Sequence, residues 1–148
     1  MSVIAWDGKT MAADRQVSYG NMIGSADKAR RVESAEFDAV ALVGCTGDAY
    51  LIESMFEWIG TGCELDRFPK AITPESDFMA LVVTSSGLTM VFGTSPHPVF
   101  QDPGIFAIGS GRDFAMAAMY LGKSAREAVE VASHFDITCG CGVTELTF

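Results

Sequence analysis

Ser2-Val3-Ile4-Ala5-Trp6-Asp7-Gly8-Lys9-Thr10-Met11-Ala12-Ala13-Asp14 is the stretch whose reading decides the fold. Two apolar runs flank Asp7-Gly8, a pair that suits a tight turn. Val3–Trp6 and Lys9–Ala13 therefore read as a β-hairpin. The same stretch places a hydroxyl residue directly behind Met1. Removal of Met1 makes Ser2 the N-terminus and puts a nucleophile and a base on one residue, because the hydroxyl can pass its proton to its own α-amine. Such an amine titrates near about 7.7–8.0 when unperturbed, so a usable fraction is neutral at physiological pH. A plain Met-Ser start is common, and the dipeptide alone settles nothing; the rest of the chain carries the argument.

Outward from the hairpin, Gly20-Asn21 marks a second turn. A strand from Gly24 to Val32 and another over Asp38–Val43 follow, and Gly44-Cys45-Thr46-Gly47 breaks the pattern. Asp48–Ile59 reads as a helix with Leu51, Met55 and Trp58 on one side and Ile52, Phe56 and Ile59 on an adjacent one, a face wide enough to be buried. Gly60-Thr61-Gly62 ends it, and Cys63–Glu75 is a proline-broken loop. Met79–Thr84 and Leu88–Gly93 are strands around Ser85-Ser86-Gly87. A loop from Thr94 to Gly104 leads to a strand over Ile105–Ile108. Phe114, Ala117, Ala118 and Leu121 give a helix stopped by Gly122, and Ser124 with Glu127 is a capping box that opens another. Ile137–Cys141 and Val143–Phe148 read as closing strands. Runs of strands separated by helices predict an α+β fold with antiparallel sheets, in one domain spanning 1–148.

Composition excludes several functions. A net charge of -9 argues against nucleic acid or an anionic membrane as partner, since both need a basic footprint. No apolar run is long enough to span a bilayer. Cys45, Cys63, Cys139 and Cys141 contain no CxxC pair, and the chain has only 2 His, so no metal and no cofactor is expected. Four free thiols fit a reducing cytoplasm. Cys139-Gly140-Cys141, alternating along a strand, predicts both thiols on one face. Ser85-Ser86-Gly87 is a hairpin turn rather than a nucleophile elbow, and Gly109-Ser110-Gly111 is too short for a phosphate-binding loop.

Five short signatures occur in a fixed order. Ser2 comes first, then Met11-Ala12-Ala13-Asp14 closing a strand. Lys28 lies within Asp27-Lys28-Ala29-Arg30-Arg31-Val32, and Gly44-Cys45-Thr46-Gly47-Asp48 stands between strand and helix. Ile108-Gly109-Ser110-Gly111 precedes a helix, with Asp136 after the next one. Together they resemble the proteasome β-subunit-like family of N-terminal nucleophile hydrolases, including the bacterial proteasome-like peptidases. The resemblance is densest in residues 2–60 and 105–141. It implies a four-layer αββα sandwich, with two antiparallel sheets between helix layers. It also implies roles: Ser2 as nucleophile, Lys28 as catalytic lysine, Asp14 as its carboxylate partner, and Gly44 as the oxyanion-hole glycine. Ser110 and Asp136 hold the nucleophile and its amine, and Cys139 stands where the family has a supporting serine. A peptide or unfolded-protein substrate, a homo-oligomeric ring and an ATP-dependent unfoldase partner are further implications.

The residues agree chemically with those roles. A lysine beside an α-amine favours the amine's neutral form, and a carboxylate holds the lysine. A glycine lets its N–H approach a developing oxyanion. Strand alternation predicts that Ala26, Lys28 and Arg30 share one face and that Leu42 shares another with Gly44. Ala26, Arg30 and Leu42 are thus expected to wall the substrate pocket and Thr46 to floor it. Three departures from the family stand out. The nucleophile is Ser where the ring proteases use Thr. As the sequence reads, exposing Ser2 requires only the loss of Met1. The middle strands are joined by one convincing helix rather than two, which makes a reduced fold. Beside the peptidase, the same sequence admits a non-catalytic ring or scaffold subunit that keeps Met1, or a small-molecule amidase.

Overall fold

The computed structural model describes residues 2–34, 36–37 and 39–148. Strand β1 (Val3–Trp6) turns back into β2 (Met11–Asp14). The turn is locally encoded: the Asp7 carboxylate accepts from the N–H groups of Lys9 (2.9 Å) and Thr10 (2.7 Å), and Gly8 takes a φ of +95°. All residues of β1 and β2 are buried, so both faces of this hairpin are covered.

A small hairpin follows, β3 (Gln16–Tyr19) with β4 (Met22–Ser25), turning at Gly20-Asn21. The continuous strand expected from Gly24 to Val32 is in fact two. The chain leaves β4 at Ser25 and resumes as β5 (Ala29–Ser34). In the gap, the Ala26 N–H turns to the Arg15 carbonyl (2.9 Å), Asp27 pairs with Arg15 and Thr144, and Lys28 reaches into the core. Polar partners here outweigh strand continuity.

Strand β6 (Ala39–Gly47) runs straight through Gly44-Cys45-Thr46-Gly47, where a break was expected. Its expected start, Asp38, lies outside the described residues. Gly44 serves close packing of two sheets, since a side chain there would strike Ile4. The strand ends only at Gly47, whose φ of +99° and contact with the Asp77 carbonyl leave no room for a Cβ. Helix α1 (Ala49–Gly60) then starts with Asp48 accepting from the Tyr50 N–H (3.0 Å).

One 3-10 turn at Leu65–Arg67 is the only helical piece described between α1 and β7 (Phe78–Thr84). After β8 (Thr89–Phe92) comes β9 (Val99–Gln101), a short edge strand inside the expected loop. Strand β10 (Phe106–Gly109), helix α2 (Arg112–Tyr120), helix α3 (Ala125–Phe135) and β11 (Val143–Leu146) complete the chain. The capping box of α3 is present. Ile137–Cys141, expected as a strand, is a turn. The Cys139 N–H donates back to the Asp136 carbonyl (3.0 Å), and Cys141 takes a φ of +61°. As a result Cys139 is buried and Cys141 exposed, and the two thiols do not share a face.

Two main sheets result, β10-β1-β2-β11 and β5-β6-β7-β8-β9, each antiparallel throughout. Three apolar clusters define the packing. Ile4, Trp6, Met11 and Ala13 of the first sheet meet Ala29, Leu42, Leu81 and Val83 of the second. Met55, Trp58 and Ile59 of α1 cover the outer face of the second sheet through Val43, Cys45 and Phe92. Ala115, Ala128, Val129 and Ala132 of α2 and α3 cover the outer face of the first through Val3, Ala5 and Ala12. The fold is α+β, with two main antiparallel sheets, the small β3–β4 hairpin and three α-helices among the described residues. None of these helices is long and apolar enough to cross a membrane.

Candidate active site

Ser2 stands at the head of β1, Asp14 at the end of β2 and Lys28 just before β5. All three are at most 1% exposed. The Lys28 ammonium donates to Ser2 Oγ (2.8 Å) and lies 3.0 and 3.1 Å from the two oxygens of Asp14. Asp14 also accepts the backbone N–H groups of Val3 (2.9 Å), Gln16 (3.2 Å) and Gly140 (3.0 Å). A charge pair taken out of water is tolerated only when its remaining lone pairs and protons are satisfied, and here they are. The hairpin, the loop before β5 and the loop after α3 are thereby tied to one carboxylate.

A second group surrounds the backbone of Ser2. The Gly111 N–H (3.3 Å) and the Ser110 hydroxyl (3.4 Å) donate to the Ser2 carbonyl. The cap of α2 is Gly111, so the Ser110 side chain is free for this task. Ser110 Oγ lies 2.9 Å from Thr138 Oγ1, and the Thr138 hydroxyl and N–H reach Asp136 Oδ1 at 2.7 and 2.8 Å. Burial alone would push the Asp136 carboxyl up. The Thr138 hydrogen bonds, with Ser110 and Cys139 adding to them, outweigh it and hold the group at about 2. Cys139 Sγ makes only long contacts, 3.5 Å to Asp136 Oδ2 and 3.8 Å to Ser110 Oγ. Burial pushes its thiol up to about 11, so it is not a poised thiolate.

A cavity of about 150 Å3 opens beside Ser2 and Lys28, walled by Val17 and Tyr19 of β3 and by Gly47 and Tyr50 at the head of α1. The backbone pattern shows which glycine faces it. Along an antiparallel strand, successive residues turn their N–H and C=O to alternate neighbours. The Cys45 N–H donates to Lys28 O (2.8 Å) and the Ser85 N–H to Val40 O (3.0 Å). Odd positions of β6 therefore face β5 and even ones face β7. Gly44, opposite Leu81, gives its N–H to the β7 ladder, which corrects the expectation that it meets the oxyanion. The Gly47 N–H turns instead to the β5 side, beyond the point where β5 begins, and so toward the cavity.

The expected pocket wall is also corrected. Arg30 lies on the α1 face, bidentate to Glu53 (2.8 and 3.0 Å) and 4.6 Å over the Phe56 ring. Lys28 does not share its direction, because regular alternation starts only at Ala29. Leu42 is fully buried between the sheets. Thr46 is buried against Gly109, and Ala26 is turned to Arg15. None of the four lines the cavity. The residues missed from sequence are Gln16, Gly47, Tyr50 and Thr138. A signal existed for Thr138, since Asp136-Ile137-Thr138 is the spacing of an Asx turn. No cluster of metal-ligating side chains occurs among the described residues.

A buried Ser–Lys–Asp set at the head of β1, between two antiparallel sheets, is the arrangement expected of the N-terminal nucleophile hydrolase class. Comparison with known proteins narrows it. The ATP-dependent protease subunit HslV of Enterococcus faecalis is 33% identical across 76% of this chain and 69% of its own length. HslV of Ligilactobacillus salivarius is 31% identical across 88% of each chain. No family model matches the chain. Among solved structures, Thiobacillus denitrificans BPH aligns at a TM-score of 0.72 and 20% identity, covering 99% of this chain and 96% of that one. HslV from Trypanosoma brucei aligns at 0.64 and 22%, covering 99% of each. The chain belongs to the proteasome β-like family of N-terminal nucleophile hydrolases, with HslV proteins as distant relatives.

Proposed function

We propose that the protein is a peptidase in which Ser2, freed by loss of Met1, is the nucleophile. Met1 itself lies outside the described residues. One observation carries the reading: a single buried ammonium, Lys28, is shared between Ser2 Oγ and the Asp14 carboxylate. A buried cation at that oxygen stabilises the alkoxide that forms as its proton leaves. In the proposed reaction the Ser2 α-amine takes the hydroxyl proton and Oγ bonds to the peptide carbonyl carbon. The carbonyl electrons move to oxygen, which meets the Gly47 N–H. Collapse expels the leaving amine, which takes the proton from the α-ammonium. Water then attacks the ester, releases the acid and restores Ser2. Ser110 and Asp136 hold the Ser2 backbone and its amine.

The packing of α1, the two sheets and the α2–α3 pair in that order supports reading the fold as a reduced αββα sandwich. By kinship with subunits of an ATP-dependent protease, we assign a homo-oligomeric ring, an unfolded-protein substrate and an ATP-driven unfoldase partner in the cytoplasm. Intact mass and peptide turnover test the core of this reading together. The untagged protein should lack Met1 and cleave a fluorogenic peptide, and Ser2→Ala should keep its fold and cleave none. Epoxomicin, which Thiobacillus denitrificans BPH holds in a complex, should raise the melting temperature of the wild type but not of Ser2→Ala. Retention of Met1 without turnover would instead identify a non-catalytic ring subunit, and turnover confined to non-peptide amides an amidase.

A further inference from the structure

Cys139 stands where the resemblance asks for a supporting serine, yet its sulfur contacts are the longest in the group, and a neighbouring hydroxyl makes the short ones. We propose that Thr138 is the positioning residue of this site: its hydroxyl locks Asp136 to Ser110 and so fixes the backbone of Ser2. The inference rests on the reading of Ser2 as nucleophile.

Four observations support it. Thr138 Oγ1 lies 2.7 Å from Asp136 Oδ1 and 2.9 Å from Ser110 Oγ, and no other side chain among the described residues makes short contacts to both. Its N–H holds the same carboxylate oxygen at 2.8 Å, closing a local turn that fixes the hydroxyl's direction. Ser110 in turn donates to the Ser2 carbonyl. Thr138 gives its one proton to the carboxylate, so its oxygen accepts from the Ser110 hydroxyl at 2.9 Å, and the same Ser110 proton makes the longer 3.4 Å contact to the Ser2 carbonyl. Cys139, by contrast, packs in the apolar cluster under α2 and α3, with its sulfur against Gly111. A thiol is a weak donor at these distances and cannot hold a carboxylate as an alcohol does. The hydroxyl has thus moved one residue back along the loop. It can reach the same carboxylate because residues 137–141 form a turn rather than a strand, which frees Thr138 from the alternation that would have pointed it away.

Thr138→Val keeps shape and volume while removing the hydroxyl. Loss of a hydrogen bond to a charged group should lower kcat on a fluorogenic peptide by about tenfold or more, with KM little changed, because Thr138 does not line the substrate cavity. Thr138→Ser should restore most of the rate, a rescue that a packing role for the methyl group would not give. Cys139→Ala should cost several-fold less than Thr138→Val. A crystal structure of Thr138→Val provides a readout independent of turnover: the Asp136 carboxylate should rotate away from Ser110. The proposal is overturned if Asp136 and Ser110 keep their places without the hydroxyl, if Thr138→Val retains wild-type kcat, or if serine fails to rescue. Failure of the underlying reading looks different, since Ser2→Ala would then hydrolyse peptide as well as the wild type does.

Discussion

The two ends of strand β1 make opposite kinds of cavity. At the Ser2 end the space is small, about 150 Å3, and it is bordered by the Ser2 hydroxyl and the buried Lys28 ammonium, which Asp14 holds from behind. At the Trp6 end a cleft of about 570 Å3 opens between Trp6, Val83, Thr89 and Phe148, where the aromatic rings of Trp6 and Phe148 meet edge-on at 6.3 Å. The larger space has no buried ion pair. Chemistry needs groups that are desolvated and aimed at one another, and volume alone supplies neither. The smaller cavity is therefore the one on which the proposed peptidase reading rests.

The largest effect that would break this contrast is at Ser2. Ser2→Ala is expected to cut peptide turnover by at least about four orders of magnitude, as loss of a nucleophile does in other hydrolases, with the circular dichroism spectrum unchanged. Lys28→Met should come next and should affect both activity and stability. It strands the Asp14 carboxylate in the interior, at a cost of about 3–5 kcal/mol measurable by urea unfolding. If Lys28→Met unfolds at the same urea concentration as the wild type, the two ends do not differ in the way described.

At the opposite end, Phe148→Ala removes the edge-on ring contact and should cost about 0.5–1.5 kcal/mol with kcat/KM unaltered. Asp136 sharpens the comparison through pH. Its carboxyl is held at about 2 in the folded chain, below its ordinary value of 3.8. The stability it contributes is therefore fully present above pH 3.8 and is lost as pH falls through about 2. Thermal melts of Asp136→Asn and wild type should differ at neutral pH and converge near pH 2. The smallest effect is expected at Arg30. Its pair with Glu53 is half exposed, so Arg30→Ala should cost less than about 1 kcal/mol. Substrate preference at the residue before the cut should not change, whereas Tyr50→Ala should broaden it; a peptide panel varied at that position reads both.

Much of this was legible in the residues. Asp7-Gly8 demands its turn, the apolar face of α1 demands burial, and the Ser124–Glu127 box opens α3, because each depends on neighbours a few residues apart. Ser2, Asp14, Lys28, Ser110 and Asp136 were marked by their order along the chain, and the structure brings them together at one end of the sandwich. What escaped were the features that depend on where a strand stops. The break between Ser25 and Ala29 is made by partners from distant loops. It sends Lys28 to Ser2 and Arg30 to α1, although alternation would put them side by side.

The glycines divide along the same line. Sequence marked Gly44 and Gly47 as two pauses between a strand and a helix. Only the sheet register separates them, with one N–H spent in the β7 ladder and the other turned toward the cavity. Thr138 and Cys139 are adjacent in the chain, but a turn in place of a strand puts the alcohol on Asp136 and the thiol into the core. The sequence by itself determined the hairpin, the three α-helices, the α+β class and the candidacy of Ser2, Asp14, Lys28, Ser110 and Asp136, since these follow from local geometry and residue chemistry. Tertiary structure alone decided which groups touch, because a hydrogen bond depends on ångström-scale placement of segments that the chain keeps far apart.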